Sequence, residues 1–537
     1  MRSLVAVLAL ALSLPAQVQE ISGERIRAHV KFLASDLLEG RGVGTRGGQL
    51  ATEYLAAQFA LAGAKPAGDN GTYFQRVPLV GIEPKPDSQL SAEGKNGKLA
   101  LRWLTDFVGA DQRQKESEQF DAEAVFVGHG IVAPEFQWDD FKGVDVRGKV
   151  LVLFTNEPSS SNPKLFGGRA LTYYGRWTYK FEQALRMGAL GVVIIHTTPT
   201  AGYGWQVVRN SWSGEDSYVR LGPGQPELAF AGWVTEDAGA KLLAMAGKTV
   251  PELLRLSDSR DFKPIPLGFR IRGNMRSKVR TIETSNVAAI VPGSDPALAS
   301  EAVLFSAHWD HLGIGVPVDG DAIYNGAVDN ATGCAMLVEI ARMWASLDQK
   351  PRRSAIFLSV TAEEGGLRGS EFYATHPIVP PGKTAVAINF DGYFPFGRTK
   401  DVVVLGAERT TFWPMVQELA QRSDLVTRPE SRPEQGSYYR SDHFSFARAG
   451  IPAFSVETGE EFVGKPAGFG EKAFEEFNTK HYHQPSDEYR DDWDCSGLEQ
   501  MARFGFLLGQ TAANLEKLPT WNAGDEFLAA RQKSGVK

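Results

Sequence analysis

Three textures of apolar and polar residues succeed one another along the chain. Between 23 and 63 the apolar positions recur at helical spacing. Ile26, Val30, Phe32 and Leu33 mark one helix, and Leu50, Tyr54, Leu55 and Phe59 mark a second that Gly63 stops. A glycine-rich loop at 40–45 separates them. From about 72 to 118 apolar and polar residues alternate, punctuated by Pro and Gly, which predicts irregular, strand-rich structure. From about 283 onward the runs 287–291, 302–306, 355–360 and 385–389 are too apolar for a half-exposed sheet, and helical stretches such as 333–346 separate them. Buried strands alternating with helices predict an α/β domain with helices on both faces of the sheet.

The middle of the chain differs. Short strands are expected at 124–128 and 148–154, then a helix at 181–187 that enters a third strand through Gly188-Ala189-Leu190-Gly191. A helix entering a strand through this tetrapeptide resembles the protease-associated domain, a small β-rich insert that carries no chemistry of its own. It is placed at 120–275, leaving 17–119 and 276–537 as the two pieces of a discontinuous main domain.

In an α/β sheet the site lies beyond the carboxyl ends of the strands, so polar residues should crowd there. The run 302–306 leads into His308, Asp310 and His311, and the run 355–360 into Glu363 and Glu364. The run 385–389 leads into Asp391. Asp329 lies in Asp-Asn-Ala-Thr-Gly at the mouth of a helix, and His481-Tyr482-His483 comes late in the chain. Taken singly these are unremarkable caps and surface groups. Together they put acids and imidazoles at one end of three neighbouring strands, and carboxylates so crowded repel one another unless a cation neutralises them. Mixed imidazole and carboxylate donors suit zinc, with manganese or cobalt as substitutes. Neither Cys334 nor Cys495 falls in this set, and both read as structural thiols.

These motifs, in this order, resemble the two-zinc peptidases of the zinc aminopeptidase and glutamate carboxypeptidase type, over about 25–515. The resemblance implies an α/β/α sandwich on a mixed, mostly parallel sheet, with two Zn2+ ions. His308 and Asp391 would hold one ion, Glu364 and His483 the other, and Asp329 would bridge them. Glu363 would be the general base and Tyr482 an oxyanion donor. Asp442, in Ser441-Asp442-His443-Phe444, would support the substrate loop. Asp310 and Asp487 are suited to orient the imidazoles of His308 and His483, and His311 is expected outside the ligand set. Glu363 and Asp391 favour a peptide with a free, cationic N-terminus as substrate, and the insert is expected to shape access to the cleft.

Composition and charge narrow the partners. With 43% hydrophobic and 23% charged residues the chain can bury sizeable cores, and a net charge of -7 without a basic run argues against nucleic acid. Arg2, the apolar stretch 4–14 and the small residues before Ala16 read as an export signal over 1–16, too short to span a bilayer. A periplasmic or extracellular protein without a membrane span is expected, and no motif bears on oligomeric state. The competing readings are a glutamate-carboxypeptidase-like enzyme, with Arg440 and Arg368 as candidate carboxylate binders, a glutaminyl-cyclase-like enzyme, and an inactive transferrin-receptor-like binding module.

Overall fold

The computed structural model describes residues 20–158, 160–162 and 165–536. The expected export signal lies outside them. Among the described residues no helix is long and apolar enough to cross a membrane.

At the centre is strand Ala302–His308, flanked on both sides by parallel neighbours, Ser354–Val360 and Thr384–Asn389. Ala453–Thr458 continues the parallel run beyond Thr384–Asn389. Outside this run the pairing turns antiparallel, to Ile265–Val291 and Phe74–Pro84 on one side and to Asp401–Leu405 on the other. The sheet is therefore mixed and mostly parallel at its core.

Alternation along the central strand divides its side chains between two layers. Val303, Phe305 and Ala307 join one apolar core with helices Gly23–Leu33, Arg46–Leu61, Thr332–Ser346 and Ser496–Asn514. Ala302 and Leu304 join the other, where helices Arg368–Thr375 and His443–Arg448 pack. Both faces are covered, which is why these strands read as continuous apolar runs. Cys334 and Cys495 are buried and free. The Cys334 thiol donates to the carbonyl of His308, so it packs directly behind that residue.

Two features depart from the sequence reading. The run 287–291 is the end of a 27-residue strand, Ile265–Val291, whose first half belongs to a second sheet. There Leu267, Phe269, Ile271 and Met275 alternate with exposed residues, so a half-buried antiparallel strand was hidden among charged positions. The second sheet also recruits Gln89–Gly94, Gly97–Leu101 and Phe107–Ala110, residues that the pattern had assigned to the main domain. By pairing, the second sheet already includes Gln89. Within it Ser117–Phe126, Val150–Phe154, Gly191–Ile195 and Phe230–Val234 run parallel, and Asp216–Val219 crosses back to pair with Phe74–Pro84 of the main sheet.

Candidate active site

The chemistry gathers where the three central strands end. His308 is the last residue of Ala302–His308, and Glu363 and Glu364 follow Ser354–Val360 after Ala362, which adopts a positive φ of 54°. Asp391 follows Thr384–Asn389. Asp329 arrives on an irregular turn, Ala327–Ala331, that leads into helix Thr332–Ser346. His483, at φ 56°, arrives from the loop after helix Phe469–Lys480.

Asp329 stands between the two imidazoles. Its Oδ1 lies 3.1 Å from His308 Nε2 and its Oδ2 lies 3.4 Å from His483 Nε2. On the first side Asp391 Oδ1 approaches His308 Nε2 at 3.2 Å, and on the second Glu364 Oε2 approaches His483 Nε2 at 3.0 Å. His311 Nδ1 takes the other Glu364 oxygen, at 2.5 Å. Three groups keep their donor atoms within 4.8 Å of one another: His308, Asp329 and Asp391; His308, Glu363 and Glu364; and His311, Asp329 and Glu364, which brings His311 into the cluster although it was expected outside the ligand set.

Electrostatics follow from this crowding. Burial lowers the basicity of His308, but Asp391 and Glu363 outweigh it and hold the imidazole well above its ordinary pKa. Burial pushes the Glu363 carboxyl well up; His308 opposes this, and Asp391 and Asp442 add to it. Burial acts the same way on Glu364, yet His483 and His311 hold it at about 2. Among the described residues no Lys or Arg forms an ion pair with Asp329, Glu363, Glu364 or Asp391. Among the described residues the buried Nε2 of His311 has no hydrogen-bond partner. Imidazoles and carboxylates converging without a Lys or Arg to compensate the acids make a donor set that fits a divalent metal.

The supports differ from those expected. Asp310 does not reach the His308 ring with its carboxylate. His308 Nδ1 faces the Asp310 carbonyl at 3.0 Å, and the carboxylate accepts the backbone N–H groups of Glu363 and Glu364. Its role is to fix the Glu pair. Asp487 likewise leaves the His483 ring alone and accepts the N–H groups of Val328 and Asp329, fixing the turn that carries the bridging carboxylate. A carboxylate facing two consecutive N–H groups orients a loop more firmly than it would one side chain. Burial raises both carboxyls to about 6. Asp442 is fully buried behind the cluster and raised by burial to about 7, and it does not line the cleft. Its neighbour Ser441 makes the useful contact, donating to Asp391 Oδ2 at 2.6 Å and accepting from Asn389. Tyr482 lies against His483, ring centroids 4.0 Å apart, and its hydroxyl accepts from Arg440 Nη2 at 3.3 Å.

The motifs did not reveal several other residues. Arg41 is fully buried and donates to the carbonyls of Leu33, Trp309, Asn325 and Gly326, clamping two segments that bear ligands. Its position between two glycines of the 40–45 loop was the available signal. The insert contributes Asn210 and Ser211, which touch His483, and Arg176, whose guanidinium has no hydrogen bond or ion pair among the described residues. Burial and the nearby charge of Arg440 pull Arg176 down to about 10. No local pattern marks these residues, because only packing between the two units brings them here. The insert and the main domain together wall a cleft of about 1450 Å³ that opens onto Asp329, Glu363, Glu364, Asp391, Tyr482 and His483.

An imidazole and carboxylate cluster lies at the carboxyl ends of a mostly parallel sheet of the α/β/α class, facing a cleft of this size, and its donors could hold a metal ion. Residues 286–506 match the model of peptidase family M28. It is 30% identical over 148 residues to aminopeptidase NAALADL1 of Mus musculus, covering 25% of this chain and 18% of that protein. It is 25% identical over 186 residues to leupeptin-inactivating enzyme 1 of Streptomyces exfoliatus, covering 33% of this chain and 36% of that one. The chain thus spans about a fifth to a third of the length of these relatives. Among solved structures, the aminopeptidase from Aneurinibacillus sp. strain AM-1 superposes with a TM-score of 0.53, covering 95% of this chain and 98% of that one. At 18% identity that likeness concerns the fold.

Proposed function

We propose that the protein is an exported two-zinc aminopeptidase that removes N-terminal residues from peptides. The observation that carries this reading is the division of the Asp329 carboxylate between His308 and His483, with Asp391 beside the first and Glu364 beside the second. One zinc would be held by His308, Asp391 and Asp329, the other by Glu364, His483 and Asp329, and manganese or cobalt would substitute. A metal pair of this kind, when bound, supplies an acidified water and polarises the scissile carbonyl.

The chain's own residues do the rest. Glu363 lines the cleft beside the ligands without being needed as one, so its carboxylate takes the proton of the attacking water and passes it to the leaving amine. Asp310 holds the backbone of Glu363 and so fixes where that base points. The Tyr482 hydroxyl, held by Arg440, donates to the developing oxyanion. Glu363 and Asp391 present the negative charge that an N-terminal ammonium requires. The second sheet is read as a protease-associated insert, and the apolar stretch 4–14 supports export.

Hydrolysis of aminoacyl-nitroanilides, run beside N-acetylated copies with and without a chelator, tests the reading. Metal-dependent release from free amines only supports it; equal release from acetylated substrates overturns the aminopeptidase assignment.

One observation favours a second reading. The unpartnered Arg176 guanidinium lies beside Arg440 in the cleft wall, and two cations there suit a substrate carboxylate, as in the glutamate-carboxypeptidase-like alternative. Peptide acids cleaved much faster than the corresponding peptide amides, with N-acetylation tolerated, would select it.

A further inference from the structure

The insert reaches into the metal centre through one helix. Trp205–Ser213 is anchored on the insert side by Val208, buried in the apolar core that also holds Val192, Ile194 and Trp233. Trp212 stacks edge-on against Trp177 and Phe181, and Trp205 against His196. These aromatic contacts leave the helix little freedom to move independently of the second sheet. Asn210 and Ser211 face out of that core toward the main domain.

Both meet the same residue. Ser211 Oγ lies 2.9 Å from His483 Nδ1, and Asn210 Nδ2 donates to the His483 carbonyl at 3.2 Å. One bond holds the ring and the other holds the backbone. The backbone needs holding, because His483 has φ of 56°, a left-handed conformation that residues other than glycine adopt sparingly. The ring needs holding because Nε2, which faces Asp329 and Glu364, can act as a ligand only as the unprotonated nitrogen. A partner at Nδ1 that accepts the ring proton selects that tautomer. No other described residue bonds to Nδ1.

We infer that Ser211, with Asn210, is a positioning residue for His483, so that the insert completes one of the two metal sites and not the other. The opposite imidazole, His308, has its Nδ1 on the carbonyl of Asp310, and Asp391 has its second oxygen on Ser441, both within the main domain. Loss of the insert contact should therefore weaken metal binding at the Glu364 and His483 side alone. This rests on the reading of His483 as a ligand, and it goes beyond an insert that only shapes access to the cleft.

The test is a zinc titration of the full-length protein against a chromophoric chelator, comparing wild type, Ser211→Ala and Ser211→Thr. Wild type should bind two zinc ions. Ser211→Ala should retain one at wild-type affinity and bind the second about 10- to 100-fold more weakly, with Ser211→Thr restoring it because the hydroxyl returns. Circular dichroism establishes that each variant is folded, and Asn210→Ala serves as a second variant should Ser211→Ala fail to fold. Two unchanged affinities in folded variants would overturn the inference while leaving the aminopeptidase reading intact. An equal loss at both sites would also overturn it, since that is the signature of general destabilisation. A wild-type protein that bound no zinc would remove the functional reading itself, and the inference with it.

Discussion

The two halves of the proposed metal centre are built from the same residue types and supported in different ways. On the His308 side every support comes from the main domain: the Asp310 carbonyl on the ring, Ser441 on Asp391, and the Asn389–Ser306 pair behind Ser441. On the His483 side the ring is held by Ser211 of the insert, and Glu364 by His311. The first half grows out of the strand ends and inherits their rigidity. The second hangs on a loop and borrows its rigidity from another folded unit. Similar ligands can therefore have different sensitivities to distant change, because positioning sets how much entropy binding must remove.

Substitutions can break or sharpen this contrast. The largest effect is expected at the residue the halves share: Asp329→Ala should abolish binding of both metals and all activity, seen by elemental analysis of the purified protein. Glu363→Gln should lower turnover by about 10²–10⁴ while keeping the metal content unchanged, which separates the base from the ligands. Asp391→Ala and Glu364→Ala should each reduce the stoichiometry from two metals to one, leaving different sites filled. Ser441→Ala should weaken the His308 side by about 10- to 100-fold in a chelator competition, the mirror image of Ser211→Ala.

The remaining effect lies outside both halves and leaves metal binding untouched. His443 is buried against Tyr438, and burial holds it at about 3 against an ordinary 6.5. The unfolded chain then takes up a proton near pH 6.5 that the folded protein refuses until about pH 3. Stability is lost as pH falls through that window, by up to about 5 kcal/mol. His443→Phe should flatten the acid limb of a denaturation series without altering metal affinity; an unchanged limb would count against this origin.

The strand ends were legible before any fold was known. Continuous apolar runs can be buried only if both faces are covered, and polar residues placed immediately after such runs must project from one edge of the sheet. That logic located His308, Glu363, Glu364 and Asp391. It failed for the supports of these residues. Asp310 and Asp487 lie two and four positions from a histidine, which suggested ring contacts, whereas the chain turns so that both carboxylates meet backbone N–H groups. The long strand Ile265–Val291 escaped notice because its buried residues alternate with arginines and a lysine.

By itself, the sequence determined the class of fold and the chemical kind of the site, because periodicity and residue type are local properties. Only the tertiary structure decided which oxygen of Asp329 faces which imidazole. It alone brought Arg41 beneath two loops, and Arg176, Asn210 and Ser211 to a site whose nearest ligands in sequence are about a hundred residues away or more. Such contacts depend on how the two sheets and their helices pack, and no pattern along one segment encodes the surface of another.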